Sequence, residues 1–326
     1  MQAAQYIQSK LEQIRTLDAL LVDKGSLEES IIHRILSKKF RKYAVDDAFS
    51  KHLRAVVKNA IEENAPISFT WVFGGYKLWR LSTSPKADWA ELFSLIYFIS
   101  WLAPICKVYG PGVWFDFYSD DVIVSKMNNI PIKDLKLYIE SFRTLLVFMK
   151  TYAPNNFRLT LNRVIDQYNS ERQFEDELSQ KILELKEKYL GQSFKLTREQ
   201  ISMITLNVKT NKSQLADPKW KERVQLIHDS YAQSSKRRPY YRNEQKIMVV
   251  NTPLPCTIAV GTTKTSVVKF WVGIGVLEKR DKSFIERILS PKQISESTLE
   301  AQPIAIKNLH GKNFEMINIL ARTSQF

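Results

Sequence analysis

A chain of 326 residues and 37.9 kDa with 44% hydrophobic and 11% aromatic residues can bury a substantial core, which excludes global disorder. Lys and Arg outnumber Asp and Glu by 48 to 34, a formal net charge of +14, and this excess favours anionic partners: nucleic acid, phosphorylated metabolites or an acidic membrane surface. Cys106 and Cys256 are the two cysteines, too few for a disulfide framework, and they fit a reducing, cytoplasmic compartment.

The N-terminus, MQAAQYIQSKLEQIR, lacks a basic leader followed by an apolar run, so no signal peptide is expected. Residues 1–64 read as a helical N-terminal extension. Tyr6, Leu11, Ile14 and Leu17 carry the first apolar stripe. Ser26 with Glu29 marks a second helix start, with Ile31, Ile32 and Ile35 inside it. Asp46-Asp47 opens a third helix with Leu53, Val56, Val57 and Ile61 on one face. His33 and His52 have no Cys or second His at ligand spacing and are expected to be structural or exposed.

Residues 65–208 read as an α/β core. Ile67–Phe73 is β-branched and aromatic, as a strand requires. Gly74-Gly75 turns the chain, and Lys77 and Arg80 follow as candidates for holding a phosphate or carboxylate, unless this is simply a solvated basic loop. Ser84-Pro85 is the expected start of a helix that Gly110-Pro111-Gly112 ends. Within it, Ala90–Cys106 is short of the roughly 20 residues of a membrane span and contains Glu91, so a buried core helix is expected. Val113–Tyr118 is the second strand, with Ser119-Asp120-Asp121 at its carboxyl end. Paired aspartates there suit two-metal chemistry, an acidic strand end, or a carboxylate that orients or deprotonates an amine. The last is favoured, with Asp120 as the catalytic carboxylate and no metal. Ile132, Leu135, Ile139, Phe142, Leu146 and Met149 form the stripe of another helix, and Phe157–Val164 alternates as a third strand. Ser170 and Gln173 start a further helix.

Residues 209–326 read as a basic linker followed by a β-rich portion that completes the site. Arg237 and Arg238, with Tyr240 and Tyr241, make the densest basic-aromatic segment. It suits closure over a sugar phosphate or stacking on single-stranded nucleic acid. Lys264 and Lys269 are further anion-binding candidates, Lys269 because it interrupts the apolar run VVKFWVG. Phe284–Leu289 is expected to be helical, and Ile304–Leu309 with Phe314–Leu320 a closing strand pair. No P-loop, CxxC, HExxH or GxSxG spacing occurs, so zinc and ordinary serine-hydrolase chemistry have no support.

Several residues of the central stretch fall in a familiar order: Asp88, Ala90, Glu91 and Leu92; Tyr109, Pro111 and Gly112; Ser119 and Asp120; then Asp134, Tyr138, Phe142, Arg143, Leu145 and Leu146. Over about residues 66–150 the chain resembles the isonitrile synthases of pyoverdine and dityrosine biosynthesis. The resemblance implies a Rossmann-like α/β enzyme that condenses an amino-acid amine with ribulose 5-phosphate and converts the amine to an isonitrile, with no redox cofactor and no metal. It gives Asp120 the amine, Glu91 a supporting catalytic part, and the cations the phosphosugar. A nucleic-acid-binding protein using residues 236–242, and a non-catalytic interaction module of the same fold, are the alternatives.

Overall fold

The structure, a computed structural model, describes residues 3–20, 22, 25–40, 45, 47–72, 86–119, 130–190, 258–260, 274–280, 283–289, 298–307 and 313–322. Three helices come first: α1 (Ala3–Arg15), α2 (Leu27–Ile35) and α3 (Asp47–Glu62). Ser26 caps α2, its hydroxyl accepting from the Glu29 N–H at 3.2 Å. Asn64 at φ 50° ends α3. The Ala65 N–H returns to the Ala60 carbonyl (2.8 Å) and the Asn64 N–H to that of Ile61 (3.2 Å), which satisfies two of the last carbonyls of the helix.

Then come β1 (Ile67–Val72), α4 (Trp89–Cys106), β2 (Val113–Ser119), α5 (Ile132–Lys150), β3 (Phe157–Arg163) and α6 (Glu171–Leu190). The three strands expected from sequence share one parallel sheet, and β4 (Ile258–Val260) joins it from the C-terminal portion, in the order β3-β2-β1-β4. Two antiparallel hairpins complete the described chain: β5 (Ile274–Arg280) with β6 (Ser283–Leu289), and β7 (Thr298–Lys307) with β8 (Asn313–Arg322). Phe284–Leu289 is therefore strand rather than helix. Its spacing suits both, and six cross-strand pairs to β5 decide.

Alternation divides the sheet into two unlike faces. Phe69, Trp71, Phe115 and Phe117 lie on one face, where they meet Phe98 and Trp101 of α4 and Phe142 of α5 with ring centroids 4.9–6.3 Å apart. α1 and α2 pack on the outer side of α4, so this helix is apolar nearly all round and is the buried crossover the sequence leads one to expect. By length and hydropathy alone it is able to cross a membrane, yet 78% of it is buried inside the fold. Of the expected α5 stripe, Leu135, Ile139, Phe142, Leu146 and Met149 are buried; Ile132, at the first turn, is 40% exposed.

The start of α4 differs from the sequence expectation. Its N-cap is Asp88, not Ser84, and Trp89 rather than Pro85 is the first helical residue. Asp88 Oδ1 accepts from the Ala90 N–H (2.8 Å), while Glu91 Oε2 accepts from the Asp88 N–H (2.7 Å), a reciprocal box that Ser84-Pro85 cannot form with Glu91. Its far end is closed by Asn156, whose Nδ2 donates to the carbonyls of Cys106, Tyr109 and Gly110 at 2.9–3.1 Å.

Candidate functional site at the carboxyl edge of the sheet

The strands are parallel, so their carboxyl ends share an edge. Val72 lies opposite Tyr118, Ser119 opposite Arg163, and Trp71 opposite Val260. The C-terminus of α4 lies at the other edge, where Asn156 ties it to the start of β2 through the Val113 N–H (3.1 Å). The helix runs antiparallel to the strands, and its N-terminus therefore returns to the carboxyl edge. β5 is fastened at that same place: the Gly275 N–H donates to Asp88 Oδ1 at 3.1 Å. A side chain at Gly275 is impossible there, because its Cβ would stand 2.1 Å from the Ala90 nitrogen.

Strand order reverses direction between β1 and β4, and ligands of open α/β sheets collect outside the carboxyl ends at such a reversal. The chain leaves this edge from Val72 toward Lys77 and Arg80, from Ser119 into Asp120, and from Val260 toward Lys264 and Lys269. These five candidates, Lys77, Arg80, Asp120, Lys264 and Lys269, lie outside the described residues, as do Arg237 and Arg238. What the described residues fix is where the three segments start.

Glu91 is described. Its Oε2 holds the α4 cap, and its Oε1 accepts from the Tyr138 hydroxyl at 2.9 Å. Burial, first, and the charge of Glu91, second, push the Tyr138 hydroxyl well above its usual range, so it stays protonated and donating. Any part Glu91 has at the edge is exercised through this helix terminus. Arg143, on the same helix as Tyr138, pairs with Asp166 (3.8 Å) just past the end of β3, and Asp166 also accepts from the Arg163 N–H (3.1 Å). Of the residues that carry the resemblance, Tyr109 and Gly112 are structural. The Tyr109 hydroxyl sits 2.7 Å from the carbonyls of both Ala60 and Ala65, and Gly112 adopts φ +73°.

The second face of the sheet holds the residue that sequence reasoning missed. Thr70, Asp116 and Thr160 stand in one row across β1, β2 and β3. Asp116 is fully buried. Its Oδ1 accepts from Thr160 Oγ1 (2.5 Å) and Asn162 Nδ2 (2.6 Å), and Trp114 Nε1 donates to Thr160 Oγ1 (2.8 Å). Its Oδ2 has no hydrogen-bond partner among the described residues. Burial pushes the carboxyl pKa up, and the hydrogen bonds from Thr160 and Asn162 pull it part of the way back. The available signal was an Asp at an inward position of the run VWFDFY, with Thr and Asn two apart on the next strand.

No family model matches the chain, and no curated protein matches it. Solved structures give a different answer. The fold is shared with the PvcA protein from Pseudomonas aeruginosa. That crystal structure aligns over 91% of this chain and 100% of its own, with a TM-score of 0.54 and 11% sequence identity. At this identity the likeness to PvcA is one of fold alone. Among the described residues no group of three or more His, Cys, Asp or Glu side chains is placed to hold a metal ion.

Proposed function

We propose that this chain is an isonitrile-synthase-like enzyme of Rossmann-like fold, condensing an amino-acid amine with a phosphosugar of the ribulose 5-phosphate class. The observation that carries the reading is the fold shared with PvcA, a structure of the isonitrile-synthase type, beneath a central stretch that resembles that family. The parallel sheet supports it further, because the segments bearing Lys77 and Arg80, Asp120, and Lys264 and Lys269 all start from one edge.

In this reading the cations take the phosphate, Arg80 as the bidentate member, and Arg237 and Arg238 close over the sugar. Asp120 takes the proton that the amine must lose before it attacks a carbonyl. Glu91 keeps the α4 terminus in place through Asp88 and Tyr138. The test is incubation of the protein with each amino acid and ribulose 5-phosphate, read by mass spectrometry and by the isonitrile infrared band. A new band that Asp120→Asn abolishes is the expected result. No product with any amino acid rejects the reading. Tight binding of single-stranded nucleic acid that weakens steeply and log-linearly with salt points instead to a nucleic-acid-binding role for residues 236–242.

A further inference from the structure

We propose that Asp116 is the group that holds the substrate's ammonium, in a polar site on the second face of the sheet beneath the carboxyl edge. The inference rests on the reading above for its substrate class, an amine-bearing amino acid, but its physical grounds are separate.

A fully buried carboxyl needs compensation, by a proton, by hydrogen bonds or by a cation. Asp116 has only half of this. Thr160 and Asn162 saturate Oδ1, and they are held for that purpose: the Trp114 indole N–H occupies an acceptor position of the Thr160 hydroxyl, which turns its hydrogen toward Asp116. Oδ2 is left buried without a hydrogen-bond partner among the described residues. Among the described residues, the polar and aromatic groups sharing its face are Ser68 and Thr70 on β1, Trp114 and Tyr118 on β2, and Arg158, Thr160 and Asn162 on β3. Arg158 is the charged one of these; it is exposed, and its guanidinium stacks over Trp114 at 6.0 Å. Among the described residues no charged partner contributes to the shift of the Asp116 carboxyl; burial raises it, and the hydrogen bonds from Thr160 and Asn162 lower it.

What the site lacks is therefore one donor that also brings positive charge. A hydroxyl supplies the first without the second; an ammonium supplies both. An anion is excluded, so the phosphate end of a two-part substrate belongs elsewhere. Asp116 precedes Ser119 by three residues, about 10 Å along the strand, and the row opens on its β3 side, where Thr160 and Asn162 are part-exposed. Asp116 binds the ammonium before reaction, and deprotonation by Asp120, four residues farther along the chain, follows once the amine moves from Asp116 to the carboxyl edge.

The proposal has a proton signature. At pH values where the Asp116 carboxyl is still protonated, uptake of an ammonium sends its O–H proton to the buffer, the carboxylate pairs with the cation, and no other bond changes. Affinity for the amine rises with pH until the carboxyl is fully ionised, and the protons released per amine bound fall over the same range. Titration calorimetry in buffers of different ionisation enthalpy reads this directly. The probes are L-amino acids, each matched with the 2-hydroxy acid that lacks the amine.

The expected result is proton release with the amino acid and none with the hydroxy acid, and a loss of affinity of at least about tenfold in Asp116→Asn. Absence of amino-acid binding, binding with no proton release at any pH, or unchanged affinity in Asp116→Asn overturns the proposal and leaves Asp116 partnered by internal water alone. If Asp116→Asn does not fold, the proton linkage of the unaltered chain decides. The two readings fail separately. Asp116-dependent amine binding without an isonitrile band rejects the condensation but keeps this site, and an isonitrile band with unchanged amine affinity in Asp116→Asn does the reverse.

Discussion

At the scale of single residues, Gly112 and Asn156 show how the resemblance around Tyr109, Pro111 and Gly112 acts. Gly112 has φ +73°, and a Cβ there would stand 2.1 Å from the Asn156 carbonyl oxygen, which accepts from the Val113 N–H. Left-handed backbone and a contact with main chain act together, so Gly112→Ala is expected to cost about 3–5 kcal/mol. The check is denaturant unfolding, with a lowered midpoint and unchanged slope. Nearby Cys106 is inert for a related reason. Burial raises its thiol to about 12, which leaves almost no thiolate at neutral pH.

At the scale of elements, α4 carries a proline in its last turn. Pro104 has no N–H for the Ser100 carbonyl, which is left over on the half-buried side of α4 that faces α2. Arg34 of α2 fills the gap: Nη2 donates to the Ser100 carbonyl (2.8 Å) and Nε to the Trp101 carbonyl (2.7 Å), while the guanidinium lies 4.8 Å from the Phe40 ring centre. Burial lowers the guanidinium pKa without displacing it from its cationic form. Arg34→Met keeps most of the stem and removes both donors, so it is expected to destabilise the fold by about 2–4 kcal/mol. Pro104→Ala restores an N–H to Ser100. The same Arg34→Met change should then cost about 1–2 kcal/mol less in the Pro104→Ala background, a coupling that a double-mutant cycle measures. Equal cost in both backgrounds rejects the pairing of arginine with proline.

At the scale of the whole molecule, the C-terminal portion is fastened to the core at separate places. Gly275 docks on the start of α4. Tyr6 of α1 packs its ring, tilted by 50°, against Phe284 of β6 (5.7 Å) and donates to Glu286 (3.1 Å), and the Tyr152 hydroxyl donates to the Lys307 carbonyl while accepting from Gln8 (2.8 Å). Gly275→Ala puts a methyl into the Ala90 backbone and should release β5 without unfolding the sheet. Hydrogen exchange is expected to quicken across 274–289 and stay slow in β1 and β2. Uniform quickening across the chain shows instead that the two parts unfold as one unit.

Much of the core follows from local pattern. Ile67–Val72, Val113–Ser119 and Phe157–Arg163 are short β-branched or alternating runs between turn residues, and α4 and α5 are long apolar or striped segments, so one parallel sheet with two crossover helices was legible in the chain. Local pattern fails where partners are distant in sequence. Asp88 caps α4 through its local box with Glu91, but the same carboxylate also receives the Gly275 N–H, 187 residues away, which no local pattern announces. Phe284–Leu289 pairs as strand because β5 offers it a ladder. β4 enters beside β1, and that alone creates the reversal of strand order at the candidate site. Asp116 reads in sequence as one acidic residue in an aromatic strand, and the register that sets it between Thr70 and Thr160 makes it a buried carboxyl with one oxygen to fill. Periodicity is a property of neighbours and is written in the chain; register, strand order and the burial of a charge depend on which distant segments meet, and the tertiary structure alone decides them.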